Sequence, residues 1–165
     1  MAAIIVAGTA LSACSKNETR EYTPPKSLCN VSVEPDSLSP FLPGGKKISQ
    51  QQESPNGGTE RCKVSVDGKI AVIAGQVWWN SEGNVTEVAS AHAKISPGQV
   101  TDDEQYFYSG TGAVGKAQGC TDKAHPDQSL FTALQVFAED HDNKDAMKQL
   151  ITEYTEQVRK DKKCM

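Results

Sequence analysis

Five cysteines in 165 residues constrain this chain more than any other feature. They stand at Cys14, Cys29, Cys62, Cys120 and Cys164, an odd set. In an exported chain an odd count calls for a separate role for one member. Cys14 differs from the rest in its setting, because it ends a run of apolar and small residues from Met1 to Ala13. The other four are widely spread. No C-x2-C pair occurs, and the histidine nearest to any cysteine is His125, five positions after Cys120. That spacing argues against a zinc centre, which needs clustered ligands. No metal site and no cofactor are expected.

Leu11-Ser12-Ala13-Cys14 resembles the lipobox of bacterial lipoproteins, with Leu at −3, small residues at −2 and −1, and the cysteine at +1. The resemblance implies cleavage before Cys14, whose sulfur carries a diacylglyceryl group, with palmitate among the expected acyl chains. Small residues let the peptide enter the protease, and two or more acyl chains give stable anchoring. Residues 1–13 then form a signal peptide, although they contain no Lys or Arg to make its positive first part. A start further upstream and an ordinary buried strand are the rival readings. Residues 14–28 are expected to be the lipidated cysteine and a polar tether, and 29–165 a single domain. Ser15 to Lys26 is polar, has no apolar period and contains Pro24-Pro25. From Cys14 to Cys29 such a tether spans at most about 50 Å. The expected location is the outer face of the cytoplasmic membrane, with membrane lipid as the partner of Cys14.

Export leaves Cys29, Cys62, Cys120 and Cys164 in an oxidising compartment, where disulfides are the default. Four cysteines allow three connectivities, and spacing does not choose among them. The sequential pairing, Cys29–Cys62 and Cys120–Cys164, is favoured because it ties the first segment to a sheet and the last helix back onto it. Each bridge would close a loop of about 30 to 45 residues, worth about 4 kcal/mol on the chain-entropy model.

Composition narrows the function classes. The net charge is −4, with 17 Lys+Arg against 21 Asp+Glu, and leaves no basic footprint for nucleic acid. With 37% hydrophobic residues and no apolar run of membrane-spanning length, a multi-span membrane protein is excluded.

Along the chain, Val31 to Leu42 holds a short helix, with Pro35 near its start and Pro43-Gly44-Gly45 ending it. Lys46 to Glu60 has little apolar content and reads as a surface loop with room for a short edge strand. Arg61 to Asp67 alternates, placing Cys62, Val64 and Val66 on one face. Asp67-Gly68 is a hairpin turn, and Lys69 to Asn80 a longer strand. Adjacent Trp78 and Trp79 on that strand must point to opposite faces. Asn84 to Lys94 reads as helix or strand; an Asn84/Glu87 capping box and its alanines favour helix. Tyr106 to Ser109 and Ala113 to Gln118 suggest a hairpin about Gly110-Thr111-Gly112. Residues 130–138 are ambiguous, and the alternation of Leu130, Thr132, Leu134 and Val136 favours strand. A C-terminal helix capped by Asp142 or Asn143 carries a stripe of Ala146, Met147, Leu150, Ile151, Tyr154 and Val158. The expected fold class is α+β: an antiparallel sheet with a long C-terminal helix and one or two shorter helices packed on it, held by two disulfides.

Gly110 to Gly115 matches G-x-G-x-x-G, but no helical run follows to hold a pyrophosphate, so a turn is expected and no nucleotide. Asp140 to Asp145 opens like a calcium loop, yet the positions that require Gly and Glu hold Asp145 and Ile151. Helix-capping carboxylates explain these residues instead. Asp102-Asp103-Glu104 reads as a solvated loop. There is no G-x-S-x-G elbow, and His92, His125 and His141 have no motif partners.

The whole pattern resembles a group of uncharacterised secreted lipoproteins of actinomycetes. The residues that carry it are the lipobox, the Pro40–Gly44 stretch, Cys62–Gly68, Trp78-Trp79, Tyr108–Gly115 and a final helix ending in Cys164. The resemblance implies an extracytoplasmic α+β domain with paired cysteines and carries over no catalytic residues. The expected function is a non-enzymatic binding or interaction domain with a protein or small-molecule partner in the cell envelope. Its expected surface is Trp78, Trp79, Tyr106 and Tyr108. The alternative is a small cell-envelope hydrolase using a His/carboxylate pair assembled by the fold.

Overall fold

Asp67 and Gly68 both adopt positive φ, 48° and 80°, the conformation that a two-residue turn between twisted strands demands. They join β4 (Thr59–Val66) to β5 (Lys69–Asn80), as the alternation on either side requires. This computed structural model describes residues 19–93, 95, 97–162 and 164. The expected signal peptide 1–13 and Cys14 lie outside the described residues.

Before this hairpin come β1 (Ser27–Leu28), β2 (Val31–Ser32), α1 (Pro35–Leu38) and a 3-10 turn at Ser39–Phe41. Next is β3 (Ile48–Asn56). After the hairpin, α2 (Val85–Val88) runs into a π turn at Ala89–Ala93. Then follow β6 (Gln99–Val100), β7 (Tyr106–Tyr108), β8 (Gly112–Ala117), β9 (Gln128–Val136) and α3 (Lys144–Asp161). Seven strands form one antiparallel sheet in the order β3-β4-β5-β9-β8-β7-β6, while β1 and β2 pair separately. The chain leaves β5, crosses through α2 to the far edge, and returns as a meander that puts β9 beside β5. The fold is α+β, with a C-terminal helix, two shorter helices and the disulfides Cys29–Cys62 and Cys120–Cys164.

Helix α3 covers one sheet face. Met147, Leu150, Ile151, Tyr154 and Val158 are buried there against Val64, Val72, Ala74, Leu130 and Leu134. The other face is covered by α2 and its π turn, which bury Val85, Val88 and Ala89 against Val77, Phe107, Val114 and Phe131. The capping box of α2 forms as its sequence requires: Asn84 Oδ1 accepts from the backbone N–H of Thr86 and Glu87, and Glu87 reaches back to Asn84 N. Asn143 caps α3 by accepting from Ala146 N at 3.0 Å.

The G-x-G-x-x-G run is a hairpin turn and strand whose glycines make room for neighbours. A Cβ at Gly110 would run into the Asp142 carboxylate, and one at Gly115 into Thr155 Oγ1 on α3. Close approach at Gly115 lets the buried hydroxyls of Thr132 and Thr155 meet at 2.6 Å.

Two expectations need correction. The stretch 46–60 is not mainly loop, since nine of its residues form edge strand β3. Its side chains are mostly exposed, so pairing with β4 leaves no apolar alternation for a pattern to detect. Its register breaks near Pro55, which suits an edge. The expected tether, 14–28, also ends too late. The Arg20 guanidinium donates to Ser39 Oγ at 2.6 Å, to Ser39 O at 3.0 Å and to Leu42 O. Tyr22 OH donates to Pro43 O, and Leu28 is 1% exposed. Residues 20–28 thus belong to the packed domain, held by contacts with 39–45 that lie too far along the chain for a local pattern to reveal.

Candidate functional site

Strand periodicity sends Trp78 to the α3 face and Trp79 to the α2 face. Each indole meets a histidine. Trp78 stacks on His125 with centroids 5.0 Å apart and planes 9° from parallel. Trp79 meets His92 edge-on, 5.1 Å away at 90°. Burial, and then the charge of Arg61, hold the His92 pKa below its ordinary value.

The Trp78 side forms a cleft of about 260 Å³ at the end of the sheet where β3 turns into β4. Its walls include Asn56, Glu60, Gln76, Trp78, Asp122, His125 and Lys162. Local hydrogen bonds set the rim. Gly58 N donates to Asn56 Oδ1 at 3.0 Å, and Trp78 N donates to Gly58 O at 2.8 Å, seating the β3–β4 turn against the indole strand. Across the cleft, Ala124 N donates to Asp122 Oδ1 and His125 N to Asp122 O, each at 3.0 Å. His125 Nδ1 lies 2.8 Å from Gln128 Oε1, a contact that holds the imidazole in place over the indole. The Cys120–Cys164 bridge ties the start of this loop to the chain just beyond α3.

The cleft is polar on its floor and sides. Gln76 Oε1 is buried without a hydrogen-bond partner. Beneath it Tyr154 is fully buried, and burial drives its phenol far above the ordinary range. Lys162 and Glu60 face each other at 3.9 Å, both nearly half exposed, so their attraction is screened and weak. This arrangement offers a ligand side-chain amides, carboxylates, one ammonium and an aromatic wall.

The four aromatic residues expected to form one surface are not brought together. Tyr106 and Tyr108 are 7% and 5% exposed and pack in the core under α3. Burial pushes the Tyr106 phenol up to about 12, with Glu156 and Asp103 adding to the shift. Trp78 and Trp79 remain half-buried on opposite faces. Sequence reasoning missed Gln76, Glu60 and His125 as neighbours of Trp78. Gln76 was findable, because it sits two positions before Trp78 and shares its face. His125 was not, since its approach depends on β9 pairing with β5 in the register Trp78↔Leu130.

The other histidines are placed elsewhere. His141 Nδ1 lies 2.7 Å from Pro40 O, and His92 stays with Trp79. Among the described residues, no histidine forms an ion pair with a carboxylate, and no group of three or more His, Cys, Asp or Glu could hold a metal. Comparisons with family models, curated proteins and solved structures return no match.

Proposed function

We propose that this chain is an extracytoplasmic lipoprotein, anchored through Cys14 at the outer face of the cytoplasmic membrane, whose domain is a non-enzymatic binding module. Its site is the Trp78–His125 cleft. The observation that carries this reading is the Trp78–His125 stack, which walls a cleft of about 260 Å³ whose other lining includes the polar side chains of Asn56, Glu60, Gln76, Asp122 and Lys162. A small envelope molecule with hydroxyl or amide N–H donors beside an apolar face matches that chemistry. Two disulfides favour an oxidising compartment. The hydrolase reading would need a histidine paired to a carboxylate, whereas His125 is engaged with Gln128 and Trp78.

Two measurements test this reading. Metabolic labelling with palmitate should mark the protein and fail in Cys14→Ser. Neutral oligosaccharides and short acylated peptides, titrated in separate panels, should include one that changes tryptophan emission saturably. Gln76→Leu should abolish that change without altering the emission of the free protein. If both panels produce no saturable signal at millimolar concentration, this cleft is not the site.

A further inference from the structure

The opposite end of β5 carries a different surface. A cleft of about 810 Å³ lies there, bordered by Arg20, Val66, Ile70, Phe137 and His141. Ile70 is 40% exposed and Phe137 46%, and with Val100 they are the exposed large apolar side chains of the described residues. Phe137 N donates to Ala71 O at 2.8 Å, and the Ile70 and Phe137 side chains both line this cleft. The cations around it are Lys46, Lys47 and Lys69, all exposed. Asp67 is occupied in accepting from the backbone N–H of Lys46 and Lys47, at 2.8 to 3.2 Å.

Arg20, near the first described residue, lies on this cleft and forms a strand-like bridge to Gly45. Six residue steps separate Cys14 from Arg20, a reach of at most about 20 Å and typically about 13 Å. An acylated Cys14 therefore holds this end, and not the Trp78 end, against the bilayer. Ile70 and Trp78 stand eight residues apart on β5, about 26 Å along the strand.

We infer that the Ile70–Phe137 end is a lipid-docking surface: these two side chains enter the bilayer interface, the lysines lie at headgroup level, and the Trp78–His125 cleft points away from the membrane. This inference rests on the lipoprotein reading. It gives a role to two exposed apolar side chains at the end of the domain that an acylated Cys14 would bring nearest to lipid. Because Glu139 and Asp140 offset the lysines nearby, docking should depend little on anionic lipid.

Hydrogen exchange tests the inference. Acylated protein on vesicles of phosphatidylcholine, with or without a fifth of phosphatidylglycerol, is compared with the soluble Cys14→Ser chain. Exchange should slow at 66–71 and 137–141 on both vesicle types, and stay unchanged at 54–60 and 120–128. Ile70→Ser with Phe137→Ser should abolish the slowing while acylation and melting temperature are retained. An acylated, vesicle-bound protein without slowing at 66–71 and 137–141 would overturn the docking surface and leave the anchor standing. An unacylated protein would overturn both. Concentration-dependent slowing in the Cys14→Ser chain without vesicles would assign the patch to a second copy of the chain instead of lipid.

Discussion

The two ends of β5 are built by opposite means. At the Ile70 end the chain's earliest described residues are drawn into the fold: Arg20 satisfies backbone carbonyls at Ser39 and Leu42, and a two-residue turn closes β4 onto β5. The surface left over combines exposed Ile70 and Phe137 with charged side chains such as Lys69, Glu139 and Asp140. At the Trp78 end the sheet finishes in longer loops, and its order comes from Asn56, Asp122 and Gln128 side chains bonding within their own loops and from the Cys120–Cys164 bridge. The surface left over is polar with an aromatic wall. An end closed by tight turns and long-range backbone bonds needs no staple. An end made of loops does, because loop residues bury little surface to offset their conformational entropy.

That contrast can be broken by experiment. Removing the distal staple with Cys120→Ser and Cys164→Ser should cost about 4 kcal/mol on the chain-entropy model, measured by urea unfolding. Exchange should quicken at 120–128 and not at 66–71; equal quickening at both would mean that the ends are not separately stabilised. Arg20→Ala should cost about 2 kcal/mol, since it removes charged-donor hydrogen bonds from partly buried carbonyls. It should leave tryptophan emission unchanged, and a shift in emission would couple the two ends. His125→Ala should cost only about 0.5–1 kcal/mol, the worth of one aromatic stack, yet shift the emission of Trp78.

The smallest effect belongs to His92, which meets Trp79 on the α2 face. Its folded pKa lies below the unfolded value of 6.5, because burial and Arg61 disfavour the imidazolium. The unfolded chain therefore binds more protons in this range, and stability falls as pH drops below about 6.5. His92→Gln should flatten the dependence of the unfolding midpoint between pH 7 and pH 5. An unchanged slope would assign that dependence to other groups.

Much of the frame was legible from local chemistry. The Asp67-Gly68 turn, the Asn84/Glu87 box and the stripe on α3 each depend on residues whose pattern or turn preference acts over a few positions, whereas the sequential disulfides were one of three pairings that spacing left open. Edge strand β3 was hidden because an exposed strand is held by its neighbour's backbone and needs no apolar period. The aromatic surface was legible only in part. Alternation placed Trp78 and Trp79 on opposite faces, but alternation is silent on what covers each face, and α3 turned Tyr106 and Tyr108 into core.

By itself, then, the sequence determined the hairpin turns, the C-terminal helix and which side of β4 is apolar, since these follow from backbone sterics and side-chain periodicity. Only the tertiary structure decided that β9 lies beside β5, bringing His125 onto Trp78, and that Arg20 belongs to the domain. Both depend on contacts between residues far apart in the chain, where many pairings satisfy the same local pattern and the packing of the whole selects one.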